Sequence, residues 1–339
     1  MDDNSGMVVQ INPSKVPLWI NERTLQLGVG RNDQRLEDLN NSQERLIQLL
    51  FEGVASDQVE LVGRSVGLEL AESLKLIELL RPSLVSSEKR AGLNSSVDSR
   101  FAELIRIGFQ TDHSPAEVLA NRARHRISIP KLDRTGLTLV RALSEMGFQK
   151  FETNDYGLVT PSDHGELGYP KSLAGVARMS AANALLETGK SQVSILPLGK
   201  AKPSQKTVSV ISASHHFLPF EFEKLKTPHV AIEYRLETIS VTNVITRSET
   251  PCLGCRYTWL AEERSGWAEE AIQLAGRRDQ LDDGANLLLA TAIACRNIAT
   301  YTDFGSGGTN WSLNLQTRHV SEPEPQFHPA CGCQRLDGD

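Results

Sequence analysis

The chain lacks the usual marks of a membrane-bound, secreted or nucleic-acid-binding protein. Nowhere do 18 uncharged apolar residues occur together, so no transmembrane helix is expected. The first 15 residues carry acids where a secretory signal needs a basic stretch followed by an apolar run. The formal net charge is −6, and the basic excess that favours nucleic acid is missing. These absences predict a cytoplasmic protein without nucleic-acid or membrane partners.

What is present is ordinary globular composition, with 40% hydrophobic and 23% charged residues in a chain of 339. At roughly 150 residues per domain, this length predicts about two domains and a sizeable core. Five cysteines in a cytoplasmic chain should stay reduced. Close pairs among them are therefore better interpreted as metal ligands than as disulfides.

The first 90 residues have the pattern of a winged helix-turn-helix domain. VPLWINERTLQLGVG predicts a hairpin with its turn at Asn21 and Glu22. QRLEDLN predicts a third strand, for which a helical turn is a close alternative. Three helices are predicted after these strands. The first is capped by Ser42 and ended by Gly53, the second is DQVELVGRSV, and the third is LELAESLKLIELLRP.

The charge of this domain argues against DNA. Residues 1–90 hold 10 basic and 14 acidic side chains, a net charge of −4, and the third predicted helix has no basic stripe. Phosphate binding needs the opposite sign, so a DNA-binding regulator is the weaker interpretation. The third helix instead places Leu70, Leu74 and Ile77 on one face. A polar stretch at 86–96 is typical of a linker, and two more helices are predicted before residue 126.

From residue 126 onward, strands alternate with helices. The predicted strands are ISIP, FQKFETN, QVSILPLG and TVSVISAS, and the predicted helices between them are TGLTLVRALSEMG and KSLAGVARMSAANALLETG. This alternation predicts an α/β fold with βαβ units and a mainly parallel, Rossmann-like sheet covered by helices on both faces. HVAIEYRLETISVTNVI adds further strands, for which antiparallel pairing is one alternative.

Two close thiol pairs, in PCLGC and HPACGC, are the strongest chemical signal. They supply Cys252, Cys255, Cys331 and Cys333. Zinc is the metal that takes four thiolates in a closed tetrahedral site, and a closed site has no open position for a substrate. We therefore expect structural zinc that holds the C-terminal residues onto the domain, with buried free thiols as the alternative. Cys295, in an apolar helix, is interpreted as a core residue.

The turn after ISIP, where a Rossmann-like half places a phosphate-binding loop, has one glycine, Gly136. Such a loop needs glycines so that backbone amides can approach phosphate oxygens, and Pro130 removes one amide donor. ATP binding is therefore disfavoured. Asp155 follows the next strand, where a doubly wound fold sets an acid against a ribose, although a turn cap is the commoner role. The adjacent His215 and His216 predict a solvated turn.

The chain resembles the ThiF/MoeB-like adenylating fold in the order of its elements and motifs. These are a strand, a turn, a helix, a strand ending in an aspartate, LGYPKSLAGVARMSAANALL, PCLGC and a terminal CGC. More narrowly, the chain resembles the ThiF-like partner proteins of YcaO cyclodehydratases, enzymes that install azolines in ribosomally made peptides. The features that carry this resemblance are PCLGCRYTWLAEERSGWAEEAIQLAG, the HPACGC ending and the winged-helix front domain. The resemblance covers nearly the whole chain. It implies a winged-helix peptide-recognition domain at 1–90, a helical linker at 91–125 and a ThiF/MoeB-like Rossmann domain with a four-cysteine zinc site at 126–339.

In that family the leader peptide of a precursor adds as a strand beside the third strand of the front domain and packs on its third helix, which is edge-strand augmentation. The resemblance therefore implies the following leader-binding residues: Arg35, Leu36, Glu37, Asp38, Leu39, Leu70, Leu74 and Ile77. Core packing is an equal alternative for the three on the helix. The implied partners are a precursor leader peptide and a YcaO cyclodehydratase, and the family's customary homodimer is left open.

The adenylating residues of the family are only partly kept. The glycine-rich turn is replaced at 130–135, and Ser-Ala-Ser at 212–214 stands where active members have an acid. Asp155 and Lys171 remain as a vestigial nucleotide site. One acid without a phosphate loop cannot hold a nucleotide in line for acyl attack. The resemblance thus implies a non-catalytic adaptor whose YcaO partner uses the ATP; the alternative is an ATP-dependent ThiF-type enzyme that adenylates a peptide.

Overall fold

The computed structural model describes residues 8–12, 15–29, 34–85, 103, 106–107, 115–187, 193–199, 206–218, 221, 225–246, 249–275, 277, 279–305 and 308–334. The chain divides into two compact units, Met1–Leu119 and Ala120–Asp339. The domain limits inferred from the sequence, at residues 90 and 125, stay predictions, and most of the predicted linker lies outside the described residues. None of the helices in those ranges is long and apolar enough to cross a membrane.

The first unit contains two three-stranded antiparallel sheets. Its strands are β1 (Val8–Ile11), β2 (Pro17–Asn21), β3 (Thr24–Leu27), β4 (Gln34–Leu36), β5 (Val54–Ala55) and β6 (Leu84–Val85). One sheet has the order β5-β1-β6 and the other the order β2-β3-β4. The hairpin predicted around Asn21 is present, and β4 pairs with β3. The strand interpretation of QRLEDLN is therefore correct at residues 34–36.

Within residues 34–85 the first unit has three helices: α1 (Asn41–Glu52), α2 (Val59–Ser65) and α3 (Leu70–Leu80). The predicted cap of α1 at Ser42 is wrong. Asn40 accepts a hydrogen bond from the Gln43 amide at 2.9 Å, and the Gln43 side chain accepts one from the Asn40 amide at 2.9 Å. This reciprocal capping box starts the helix earlier. Apolar faces of α1 and α3 share one core with β3. The winged-helix topology stays a prediction.

The second unit is built on one eight-stranded mixed sheet with the order β14-β13-β12-β11-β10-β7-β8-β9. Its strands are β7 (Arg126–Ser128), β8 (Lys150–Thr153), β9 (Ser194–Pro197), β10 (Thr207–Ser214), β11 (His229–Tyr234), β12 (Thr238–Val241), β13 (Trp311–Asn314) and β14 (Val320–Ser321). Strands β9-β8-β7-β10-β11 are parallel, as predicted for the Rossmann-like half. From β11 to β14 the pairings are antiparallel.

The remaining helices are α4 (Pro115–Arg124), α5 (Arg134–Glu145), α6 (Arg178–Glu187), α7 (Leu253–Glu263), α8 (Trp267–Ala275) and α9 (Gly284–Phe304). Side chains of α5, α6 and α9 pack in the core with Val208 and Val210 of β10. Those of α7 and α8 pack with Ile211 and Ala213. Because successive strand residues point to opposite faces, helices cover both faces of the sheet, as predicted.

Candidate functional site

The four predicted cysteine ligands come together in the second unit. Cys252 immediately precedes α7, Cys255 lies in its first turn, and Cys331 and Cys333 come from the C-terminal segment. All four Sγ atoms lie within 4.8 Å of one another. The Cys252–Cys331 and Cys255–Cys333 sulfur pairs are 3.6 and 3.5 Å apart. With Zn–S bonds of about 2.3 Å, the edge of a tetrahedral site is about 3.8 Å, so the cluster fits a metal ion such as zinc.

Two of the four thiols resist ionisation in the cluster, whereas hydrogen bonds from the neighbouring cysteines outweigh burial and hold the pKa of Cys331 below its ordinary value. Burial raises the pKa of the Cys252 thiol to about 11, and burial also raises the pKa of Cys333. A bound divalent cation favours the thiolate forms and offsets this effect. Four sulfurs complete a tetrahedral shell, so the ion would hold structure and leave no position for substrate. Cys295 is buried in α9, as expected for a core residue.

His328 is a second anchor of the C-terminal segment, and sequence reasoning missed it. Its Nε2 atom lies 3.0 Å from a carboxylate oxygen of Glu262 on α7. Its ring packs edge-on against Trp259, with ring centroids 4.4 Å apart. The sequence signal that could have indicated this contact is the position of the histidine, three residues before the metal-ligand candidate Cys331. The cysteine cluster and His328 together fix this segment on α7.

A polar cleft of about 500 Å³ lies at the carboxyl ends of β7, β8 and β10, where open α/β sheets bind ligands. The turn after β7 forms one wall. Gly136 is required in this turn, because an added Cβ would lie 2.0 Å from the carbonyl oxygen of Lys131. Gly136 is therefore needed so that α5 can pack closely against the turn.

Two carboxylates occupy amide donors of that turn. Asp155 accepts a hydrogen bond from the Leu132 amide at 2.8 Å. Asp133, the N-cap of α5, accepts one from the Gly136 amide at 3.0 Å. Helix N-termini and their turns bind phosphate through such N–H groups. Because acids already accept from them, these two amides are not free to bind a phosphate, although Lys131 and Arg134 of the same segment also line the cleft.

Arg178 neutralises the acids at the rear of the cleft. Its guanidinium lies 3.3 Å from Asp155 and 2.9 Å from Asp163. Sequence reasoning missed Arg178, since no local spacing pairs it with either acid. The positive charge nearest to Asp155 is therefore already paired with carboxylates.

The structure does not bring the two vestigial nucleotide residues together. Asp155 lines the cleft, whereas Lys171 is an exposed residue in a single 3-10 turn, Lys171–Leu173, and is not among the lining residues. The helix predicted from Lys171 onward begins only at Arg178. Gly175, with φ at 78°, interrupts the helical path before it. The Ser-Ala-Ser segment 212–214 does line the cleft.

The prediction of a solvated turn at His215 and His216 is wrong, because both side chains are buried. His215 Nε2 lies 2.8 Å from an Asp279 carboxylate oxygen. His216 packs edge-on against Tyr257 and Trp267, at centroid distances of 6.0 and 5.4 Å. Burial lowers the pKa of His216 to about 4, so it is neutral at pH 7. Helices α7 and α8 cover this end of β10, and they lie far away in sequence.

Asp133 offers a pH-dependent test of the cleft. Burial raises its pKa from 3.8 to about 6. The native state then keeps a proton that the unfolded state releases, so stability falls as pH rises from about 4 to 6, and the loss is complete above that range. Asp133→Asn keeps an N-cap acceptor and removes the buried charge. We expect its free energy of unfolding to exceed wild type by about 1–2 kcal/mol near pH 7.5 and to differ little near pH 4. Denaturant titrations at both pH values check this, and an equal change at both would contradict it.

The residues predicted to bind a leader peptide lie in the first unit. Leu36 and Leu39 are 6% exposed and belong to the core, whereas Arg35, Glu37 and Asp38 are exposed. On α3, Leu70 and Leu74 are 37% and 52% exposed, and Ile77 is half-buried against the core. The backbone of β4 and the exposed leucines of α3 are thus the parts accessible to a peptide.

The start of β4 is joined to the end of α3. Ser83 donates a hydrogen bond to the Gln34 side chain at 2.6 Å, and Gln34 donates one to the carbonyl of Leu79. Within the described sheet, β4 is one outer strand and β2 is the other. Pro17 in β2 has no N–H and discourages further pairing, whereas β4 contains no proline. The edge at β4 is therefore the better one for an added strand.

No protein-family model matches the sequence, and no curated protein matches it. Solved structures are similar in fold. MccB of E. coli with ATP aligns over 97% of this chain and 100% of MccB, with TM-score 0.70 and 10% identity. The microcin C7 biosynthetic enzyme MccB in complex with N-formylated MccA aligns over 97% of this chain and 100% of that one, with TM-score 0.69 and 12% identity. PaaA aligns over 76% and 92%, with TM-score 0.58 and 12% identity.

These likenesses define the fold class. The second unit is a mixed α/β domain with a large sheet, and the chain shares its fold with MccB. The four-cysteine cluster that could hold a metal ion is built into that domain. At 10–12% identity the solved structures carry no assignment of activity.

Proposed function

We propose that the chain is a non-catalytic adaptor that binds the leader peptide of a ribosomally made precursor and presents it to a YcaO cyclodehydratase for azoline formation. The observation that supports this proposal is a pair of hydrogen bonds in the turn after β7. Asp155 accepts one from the Leu132 amide, and Asp133 accepts the other from the Gly136 amide. Acyl adenylation is mainly positioning of phosphates plus neutralisation of their charge. A turn whose amides are taken by carboxylates is poorly suited to position phosphates.

The leader peptide would add to β4 as an antiparallel or parallel strand. An outer strand offers unpaired N–H and C=O groups, which supply affinity without regard to peptide sequence. Alternate peptide side chains would then contact Leu70 and Leu74 on α3, which are exposed apolar residues one helical turn apart. This use of the first unit also suits its net negative charge, which opposes DNA.

A second candidate function is ATP-dependent adenylation of a peptide by this chain itself. The observation that favours it is the alignment of nearly the whole chain with MccB, solved both with ATP and with MccA. In this alternative the polar cleft of about 500 Å³ would hold the nucleotide. Asp133 and Asp155 would then have to release their amide partners.

Nucleotide addition gives the first test. Since only a ligand that binds the native state stabilises it, ATP with magnesium at about 5 mM should leave the melting temperature of the wild-type protein unchanged. Differential scanning fluorimetry with and without ATP measures this. A reproducible rise in melting temperature would contradict the adaptor proposal and favour adenylation.

ATP–pyrophosphate exchange decides between the two functions. We expect no exchange above background when the chain is incubated with a short precursor peptide encoded beside its gene. We expect cyclodehydration of that peptide by a neighbouring YcaO enzyme to require this chain. Peptide-dependent exchange by the chain alone would establish the second candidate instead.

A further inference from the structure

A second cavity, of about 420 Å³, lies in the second unit between α7 and the antiparallel half of the sheet. Trp259 of α7 contributes an aromatic wall, and Leu253 and Leu260 contribute aliphatic ones. Ligand sites in proteins are commonly cavities of about 300–1,000 Å³ with mostly apolar walls and a few polar groups. This cavity is separate from the polar cleft, with which it shares no lining residue.

One wall of the cavity is an exposed strap, Pro-Glu-Pro-Gln at 323–326. Strand β14 precedes the strap, and the segment with Cys331 and Cys333 follows it. Cys252, at the start of α7, also lines the cavity. A metal ion in the cysteine cluster would therefore hold the strap at a fixed distance from α7.

The polar groups of the cavity are suited to a peptide carbonyl. The buried hydroxyl of Ser240 accepts a hydrogen bond from Arg256 at 3.3 Å, and that of Thr242 accepts one from the Ala231 amide at 2.9 Å. Each hydroxyl keeps a proton that it can donate. The charge of Arg256 is compensated by Glu233, 3.0 Å away. The interior thus offers neutral donors and no free charge.

The exposed lining residues give the cavity a negative mouth. Glu263 on α7 and Glu324 on the strap are both exposed, and Arg256 is the only basic residue among the described lining residues. A ligand with a positive charge beside its apolar part would complement these carboxylates. We propose that this cavity binds a peptide segment of another protein, with an apolar side chain against Trp259 and a basic residue at Glu263 and Glu324. The inference does not depend on the function proposed above.

Three capped peptides test the proposal on the full-length, metal-containing protein by isothermal titration calorimetry. They are acetyl-Lys-Phe-Lys-amide, acetyl-Glu-Phe-Glu-amide and acetyl-Lys-Ala-Lys-amide. We expect the first to bind at least about tenfold more tightly than the other two, since it alone has both the aromatic and the basic parts. Equal affinities, or no heat up to about 5 mM of the first peptide, would overturn the proposal.

Variants of the lining residues test whether the peptides bind in this cavity. Glu263→Lys with Glu324→Lys should reverse the preference between the Lys and Glu peptides. The matched control is Glu145→Lys with Glu187→Lys, two exposed glutamates at helix ends outside the cavity, which changes net charge equally. Ser312→Trp, on the half-buried β13 position that lines the cavity, should abolish binding of every peptide. Binding that survives Ser312→Trp in a protein of unchanged melting temperature, or equal effects of the two charge variants, would refute the site.

Discussion

Replacement of Cys331 by serine is expected to release the bound metal and to lower the free energy of unfolding by more than about 3 kcal/mol, an effect of the size that marks loss of a metal site. The reason is that the four Sγ atoms within 4.8 Å of one another join the C-terminal segment to α7. Without a metal ion, these sulfurs are close together with little attraction. The segment from β14 onward would then lose its main anchor.

Elemental analysis of protein purified without chelators should find about one zinc per chain, the stoichiometry of one tetrahedral four-thiolate site. The matched control is Cys295→Ala, which removes a buried sulfur from α9, outside the cluster. It should keep the metal and cost only about 1 kcal/mol, the scale of a small core truncation. Limited proteolysis with chymotrypsin should cut Cys331→Ser, and not Cys295→Ala, after Phe327, which follows the strap and is half-buried in the intact protein. A metal-free wild type, or equal behaviour of the two variants, would refute the structural site.

The sequence predicts the parts of the fold that depend on local pattern. Alternating strands and helices between residues 126 and 214 indicated the parallel half of the sheet, because period-2 and period-3.6 patterns are set by neighbours in sequence. The cysteine cluster was predictable for another reason. Paired thiols in a reduced chain have few uses besides metal binding, so their chemistry reveals a contact between segments far apart in the chain.

The cleft could not be predicted in the same way, because its contacts are long-range and chemically ordinary. Asp155 accepts from the amide of Leu132, and Arg178 pairs with Asp155 and Asp163. Any of these side chains would be unremarkable on a protein surface, and no spacing rule connects them. The burial of His216 has the same origin, since Tyr257 and Trp267 reach it from helices that are distant in sequence.

Burial in the first unit determines which residues can report on leader-peptide binding when they are substituted. Leu36 and Leu39 are core residues, so their replacement would unfold the unit and say nothing about a peptide. Ile77 is half-buried and ambiguous for the same reason. Leu74 is 52% exposed and is not among the residues packed against the core, so a charged side chain can point into solvent there at little cost in stability.

Leu74→Glu is therefore expected to weaken leader-peptide binding by about 2 kcal/mol or more, close to 30-fold, while leaving the fold intact. A peptide strand added to β4 would place an apolar side chain against Leu74, and a carboxylate at that position would be desolvated without a partner. Fluorescence anisotropy with a labelled synthetic leader peptide and the full-length chain measures the change.

Leu61→Glu is the matched control for this prediction, since Leu61 lies on α2 of the same unit and is 70% exposed. It introduces the same charge away from the β4 edge and should bind as wild type does. Asp155→Ala, in the cleft of the second unit, should also leave leader binding unchanged, because the proposed peptide contacts lie wholly on β4 and α3. Circular dichroism and thermal melting must show that each variant is folded. If folded Leu74→Glu and Leu61→Glu bind the leader equally, the peptide does not lie beside α3, and the exposed leucines of that helix serve another contact.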